Sequence, residues 1–127
     1  MLISHLDHLV LTVRDIEKSC SFYTKVLGME VVIFGDNRTA LNFGKQKINL
    51  HNADKPLTPH ANNPVPGSAD LCLITQSSLQ QVIQHLHSVN VAIELGPVMR
   101  TGTCGAIESI YFRDPDGNLI EVGHYDA

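Results

Sequence analysis

The sequence predicts an α+β fold made of two tandem βαβββ modules. Three observations predict it. A strand, a helix cap, a helix and a helix terminator occur twice in the same order; each copy goes on to two strands separated by a short turn; and a proline-rich stretch lies between the copies.

Residues 7–13, DHLVLTV, alternate as a strand does, with His8, Val10 and Thr12 on one face and Leu9, Leu11 and Val13 on the other. Asp15 is of the type that opens a helix. The stripe Cys20, Tyr23 and Leu27 predicts one over Ile16 to Leu27, ended by Gly28 as a left-handed C-cap. Further strands are expected near Glu30–Phe34, at Thr39–Phe43 and at Lys47–Leu50, with Gly44-Lys-Gln as the turn between the last two. Residues 70–75, DLCLIT, restart the pattern: a shift of 62 places Asp70 on His8, Leu71 on Leu9, Leu73 on Leu11 and Ser77 on Asp15. The second helix, Ser78 to Val89, turns Leu79, Val82, Ile83, Leu86 and Val89 inward, and Asn90 stands where Gly28 stood.

Beyond the helices the shift is read as 70. Val91–Val98 then holds the second strand of the second copy, Ser109–Arg113 and Asn118–Val122 the third and fourth, and Asp114-Pro-Asp-Gly117 the turn. At that shift His51 falls on Glu121. The modules cover about residues 5–52 and 69–124 of one 127-residue domain, and residues 53–68, with Pro56, Pro59, Pro64 and Pro66, form a surface crossover.

Composition narrows the function. A formal net charge of −4 without a basic run argues against nucleic acid, whose phosphates a binder must neutralise. No apolar stretch approaches the roughly 20 residues that cross a bilayer, and MLISHLDHLV lacks the pattern of a secretory signal. Cys20, Cys72 and Cys104 form no CxxC pair, which leaves no redox dithiol or cysteine-rich zinc site; a cytoplasmic protein is expected. Cys20 and Cys72 read as small hydrophobes. Gly102-Thr-Cys-Gly105 reads as a flexible loop of lid type. Neither a GxSxG elbow nor a phosphate-binding glycine loop is present.

Seven histidines are the unusual count. The repeat selects two ligand-type residues per copy: His8 and Asp70 on the first strands, His51 and Glu121 at the last. Ile48 and Leu50 face the core, as do Ile120 and Val122, so His51 and Glu121 lie on the opposite faces. If the sheets share a concavity, two imidazoles and two carboxylates offer a mixed shell for one divalent ion such as Ni, Co, Zn, Mn or Fe. His85 and His87 lie on different helix faces and cannot chelate together; His5, His60 and His124 read as ordinary. Glu108 reads as a surface charge in preference to a support for the site. Tyr111 and Arg113 alternate with Ile110 and Phe112 and are candidate pocket residues. For Arg113 two readings stand open, an anionic substrate or a salt bridge to Asp114 or Asp116.

Residues 7–31, DHLVLTV-RDI-EKSCSFYTKVLGMEV, resemble the opening of the vicinal oxygen chelate superfamily, and residues 107–122, IESIYFRDPDGNLIEV, resemble its closing strands. The superfamily includes glyoxalase I, fosfomycin-resistance enzymes, extradiol dioxygenases and bleomycin-binding proteins, and the motif wording is closest to short, virulence-associated bacterial glyoxalase-domain proteins. The resemblance implies an eight-stranded, cup-shaped, partly open barrel sheet with flanking helices, a homodimer, a small-molecule substrate, and metal ligands at His8, His51, Asp70 and Glu121. It further implies a metal-dependent, glyoxalase I-like lyase or isomerase acting on an oxoaldehyde–thiol adduct of the methylglyoxal class. There the ion stabilises an enediolate and Glu121 moves the proton. Two departures stand out. The ligand order His, His, Asp, Glu differs from that of bacterial glyoxalase I, and Thr12 replaces the arginine that glyoxalase I carries for glutathione. The alternatives are a non-catalytic, bleomycin-resistance-like binding protein, a fosfomycin thiol transferase and an extradiol dioxygenase.

Overall fold

The computed structural model describes residues 1–125. The chain divides into two compact units, Met1–Gly67 and a second beginning at Ser68, so the proline-rich stretch belongs to the first. The first unit runs β1 (His8–Val13), α1 (Ile16–Leu27), β2 (Glu30–Phe34), β3 (Arg38–Phe43) and β4 (Gln46–Asn52). The second runs β5 (Asp70–Ile74), α2 (Leu79–Ser88), β6 (Leu95–Gly102), β7 (Gly105–Arg113) and β8 (Leu119–Tyr125). Each unit holds one four-stranded sheet, ordered β1-β4-β3-β2 and β5-β8-β7-β6, in which the first and last strands pair in parallel and the others antiparallel. The expected βαβββ order is present in both. No helix among the described residues is long and apolar enough to cross a membrane.

Local chemistry sets the helix ends. Asp15 accepts from the Lys18 amide at 3.0 Å, satisfying one of the orphan donors of α1, and Gly28 ends the helix at φ 68°. The cap of α2 is Ser78 and not Ser77. Ser78 Oγ accepts from the Gln81 amide while the Gln81 side chain accepts from the Ser78 amide, a reciprocal box that fixes the start of the helix. Asn90 takes the left-handed position at φ 59°, with its amide on the His87 carbonyl and that of Val91 on the Leu86 carbonyl.

One face of each sheet is apolar. In the first unit Leu11, Val13, Ile48, Leu50 and Leu41 are buried, as are Tyr23 and Val26 of α1, which packs against β2, β3 and β4. In the second, Ile110, Phe112, Ile120 and Val122 are buried with Leu79 and Leu86 of α2, which packs against β7. The opposite faces carry the candidate functional residues.

Two sequence expectations are corrected. The second strand of the second unit begins at Leu95, not Val91: the Val91 amide is taken by the Leu86 carbonyl at the end of α2, the first ladder pair is Leu95 with Tyr111, and the ladder then shifts register between Leu95 and Val98. Gly96 sits in that shift at φ 114°, where a Cβ would lie 2.5 Å from the Ser109 carbonyl oxygen. Gly102-Thr-Cys-Gly105 is not a lid-type loop but the two-residue turn of the β6–β7 hairpin, with Gly102 and Gly105 as its closing pair. Tyr125 Oη pins that turn by accepting from the Cys104 amide at 3.1 Å.

Candidate functional site

In the first unit the non-core face carries His8, Val10 and Thr12 on β1 beside Lys47, Asn49 and His51 on β4, in that pairing order. His8 is exposed, and its Nδ1 donates to Asp7 Oδ2 at 2.7 Å, which leaves Nε2 with the lone pair. The bond holds the Asp7 carboxyl below its ordinary range. His51 lies opposite half-buried Thr12, four residues further along the face than the pair His8–Lys47. It is 6% exposed; its Nε2 has no hydrogen-bond partner, and burial, then the charges of Arg38 and His60, push its pKa down. Asn49, 4% exposed, stands between them with Oδ1 likewise unpartnered. Arg38 and Lys47 lie over the Phe34 ring at 4.9 and 3.9 Å from its centroid, so this face is aromatic and cationic at its β2–β3 side.

In the second unit the corresponding face carries acids. Cys72 pairs with Glu121 and Asp70 with Leu119, so Asp70 and Glu121 are diagonal neighbours on adjacent parallel strands. By strand geometry they are offset about 6.6 Å along the strands and about 4.8 Å across. Cys72, read from sequence as a small hydrophobe, is exposed; partial desolvation, then the charge of Glu121 and a hydrogen bond to it, push its pKa up to about 11. Tyr111 lies directly across β8 from Glu121, and Arg100 Nε donates to Tyr111 Oη at 2.9 Å.

A buried turn sets this register. Asp114 Oδ1 accepts from the amides of Asp116 and Asn118, each at 2.9 Å, and Oδ2 from Asn118 Nδ2 at 2.8 Å. Asn118 Oδ1 in turn accepts from the Ala69 amide at 2.9 Å, and the Leu119 amide donates to the Ala69 carbonyl. The DPDGN segment thus fixes where β5 starts against β8, and with it the placing of Asp70 beside Glu121.

The structure bears on three assignments. Arg113 bonds neither Asp114 nor Asp116; it makes a two-point bridge to Glu94, Nε to Oε1 at 2.9 Å and Nη2 to Oε2 at 3.0 Å, and lowers the Glu94 pKa. Glu108, read as a surface charge in preference to a support for the site, stands opposite His124 in the ladder on the other face of β7 from Tyr111. The repeat shift is also revised. His8 and Asp70, 62 apart, pair with Lys47 and Leu119, which are 72 apart. At 72 the counterpart of Glu121 is Asn49, and His51 lies one row beyond it. Asn49 is the residue the sequence reading missed. His8 and His51 share a face without being neighbours, and among the described residues no three His, Cys, Asp or Glu side chains converge to hold an ion.

Comparison with known proteins places these faces in context. A family model described as the Glyoxalase/Bleomycin resistance protein/Dioxygenase superfamily matches residues 5–122. Virulence protein STM3117 of Salmonella typhimurium is 52% identical over 98% of this chain and 87% of its own length. Integron cassette protein VCH_CASS1, from the mobile metagenome of V. cholerae, is 58% identical, with a TM-score of 0.97 over 99% of this chain and 98% of its own. Metallothiol transferase FosB of Staphylococcus epidermidis is 30% identical over 96% of this chain and 82% of its own.

Proposed function

The chain belongs to the Glyoxalase/Bleomycin resistance protein/Dioxygenase superfamily, and from that premise we propose a metal-dependent lyase or isomerase of glyoxalase I type. Its substrate is a small oxoaldehyde–thiol adduct, with one divalent ion (Ni, Co, Zn, Mn or Fe) per site in a cytoplasmic homodimer. The observation that carries the proposal is the pair of carboxylates, Asp70 and Glu121, set one row apart on the non-core face of the second unit.

The residues present fit an ion. His8 has its Nδ1 proton on Asp7 and its Nε2 free, the tautomer a metal takes, with a carboxylate behind it. Asp70 and Glu121 add oxygen donors, a mixed set suited to the transition metals named. Asp70 and Glu121 in the second unit, and His8 in the first, are thus each candidates to hold an ion. His51, expected with them, stays a candidate, one row beyond Asn49, which occupies the place equivalent to Glu121. When bound, the ion would act as a Lewis acid toward the substrate oxygens.

The remaining steps fall to side chains. Glu121 takes the proton from the carbon that bears the sulfur and returns it to the neighbouring carbon, while the hydroxyl proton of the first carbon passes to the oxygen of the second, so the adduct becomes the hydroxyacyl thioester with atoms and charge balanced. Cys72, neutral at physiological pH, donates to Glu121 and holds the carboxylate in one orientation. Tyr111, held by Arg100, supplies a hydroxyl on the other side of Glu121.

The test is metal analysis of purified protein after reconstitution with each ion, followed by an assay of thioester formation from the methylglyoxal–glutathione hemithioacetal. Loss of activity in Glu121→Gln with the ion retained is expected. Full activity in that variant, or no ion bound after reconstitution, overturns the proposal. The second outcome would favour a binding protein without chemistry. The likeness to FosB favours one further reading, thiol transfer to an epoxide, so fosfomycin belongs in the same assay, with a catechol for ring cleavage.

A further inference from the structure

The outer edge of β2 is bare. β2 ends the order β1-β4-β3-β2, so among the described residues its outward amides and carbonyls meet no further strand. Natural sheets guard such an edge with lysine, proline, a bulge or a covering element, because it is a template for another strand. The sequence EVVIF of β2 has neither lysine nor proline, and it pairs with β3 from Glu30 to Phe34 without a bulge. The helix leaves its outer side open as well. Val31 is 39% exposed and Ile33 61%, while Leu41 and Thr39, their neighbours across β3, are buried.

We propose that this edge pairs with the same edge of a second copy of the chain, antiparallel about Val32. The side chains select that occupant. Centred on Val32, the pairing sets Val31 opposite the partner's Ile33 twice on one face, and covers both exposed apolar pairs. On the other face it sets Glu30 beside the partner's Phe34, also twice. Arg38 and Lys47 lie 4.9 and 3.9 Å from the centroid of the Phe34 ring, so that end of the strand is positive. The other end carries Glu30, an acid with no ion pair among the described residues. A strand with an acid at one end and two cations at the other is complementary to itself reversed. A parallel copy would lay acid against acid, which destabilises a pair. The contact is one strand wide, at the small end of specific interfaces, so the dimer depends on protein concentration. The inference gives the homodimer of the proposed function a surface and rests on that reading only in expecting two copies; the chemistry assigned to Glu121 plays no part in it.

The test is sedimentation of the full chain over a range of concentrations, with Ile33→Lys as the guarded edge. Ile33→Lys should weaken self-association about tenfold or more, through the loss of two apolar pairs and the approach of two new charges, with its thermal midpoint close to wild type because the position is exposed. Ile33→Thr serves if the lysine lowers that midpoint. Charge exchange then tests the register. Glu30→Lys and the double variant Arg38→Glu with Lys47→Glu should each self-associate less than wild type, and an equimolar mixture of the two should form the mixed dimer. If the double variant does not fold, Glu30→Lys alone must weaken association. Hydrogen exchange of the β2 amides that do not bond β3 should slow as wild-type protein is concentrated, and should not slow in Ile33→Lys. Association unchanged in Ile33→Lys, or β2 exchange independent of concentration, overturns this surface and leaves the homodimer to another face. A chain monomeric at every concentration overturns both. Loss of hemithioacetal turnover in Glu121→Gln is read separately and bears on neither.

Discussion

The register that sets Asp70 beside Glu121 depends on one buried carboxylate, and exchanging it for an amide tests how much. In Asp114→Asn the oxygen facing the amides of Asp116 and Asn118 is kept, but Oδ2 becomes an NH2 group pointing at Asn118 Nδ2, 2.8 Å away. One charge-assisted hydrogen bond is lost, two more lose their charge, and two donors face each other in a residue pair 5% and 1% exposed. At about 1.5–3 kcal/mol for a bond to a charged group, the cost should be about 2–4 kcal/mol, a large part of a typical domain's stability. Equilibrium urea unfolding reads it as a fall in midpoint. The reciprocal exchange sharpens the test: Asp114→Asn with Asn118→Asp restores a donor facing an acceptor and keeps an oxygen on the Ala69 amide. The double variant should recover at least half of the loss, and exchange of the Ala69 amide, fast in the single variant, should slow again. A single-variant cost below about 0.5 kcal/mol, or a swap that recovers nothing, would refute the account of this turn.

Gly96→Ala should destabilise by about 2–4 kcal/mol in urea unfolding, since the added Cβ meets Ser109 O at 2.5 Å and Ile110 Cα at 2.9 Å on backbone at φ 114°; a neutral alanine would mean the β6 bulge relaxes freely. His51 titrates below its ordinary value when folded, so its contribution is fully present above the unfolded imidazole pKa of about 6.5 and is lost as the pH falls toward the folded value. Wild type should therefore lose more stability between about pH 7.5 and about pH 5.5 than His51→Gln does, and parallel pH profiles would show that the burial of His51 has no such effect. Arg113→Leu should leave the KM for the hemithioacetal within about twofold, because its guanidinium is occupied by Glu94; a large rise in KM would return Arg113 to the substrate.

Much of the fold could be read because local signals were strong and mutually consistent. Asp15 and Gly28 bracket α1 at its observed ends, and Glu30–Phe34 is β2 residue for residue. What failed depended on contacts a sequence does not display. The apolar run from Val91 looks like a strand, but the Val91 amide closes the end of α2 on the Leu86 carbonyl and the ladder starts only at Leu95. The error in the repeat shift has a simpler cause. Strands have a period of two, so shifts of 70 and 72 lay the same apolar pattern on the same faces; Ile48 and Leu50 match Ile120 and Val122 under one, and lie one row out under the other. Pairing with β1 and β5 settles the row, and that pairing is held partly by the DPDGN turn. Its five residues between Arg113 and Leu119 answer to only Gly44 and Lys45 between Phe43 and Gln46. The site was thus legible as to face but not as to row, and Asn49 was hidden by that ambiguity.

The corrected row changes what the duplication means. Under the shift of 72 the two units place Val10 and Asn49 where the other places Cys72 and Glu121. The backbone plan is the same and the chemistry is not. The second unit keeps an acid able to move protons, with a thiol on one side and a phenol on the other. The first keeps an amide and a neutral imidazole, which can recognise a ligand but are poor proton carriers for carbon acids, and it surrounds them with Arg38 and Lys47. A carboxylate at position 49 would face the desolvation that already depresses His51. The neutral amide spares the fold a buried charge yet keeps an oxygen that accepts. If Glu121 acts as proposed, proton transfer falls to one copy alone, since the other has an amide in the same row.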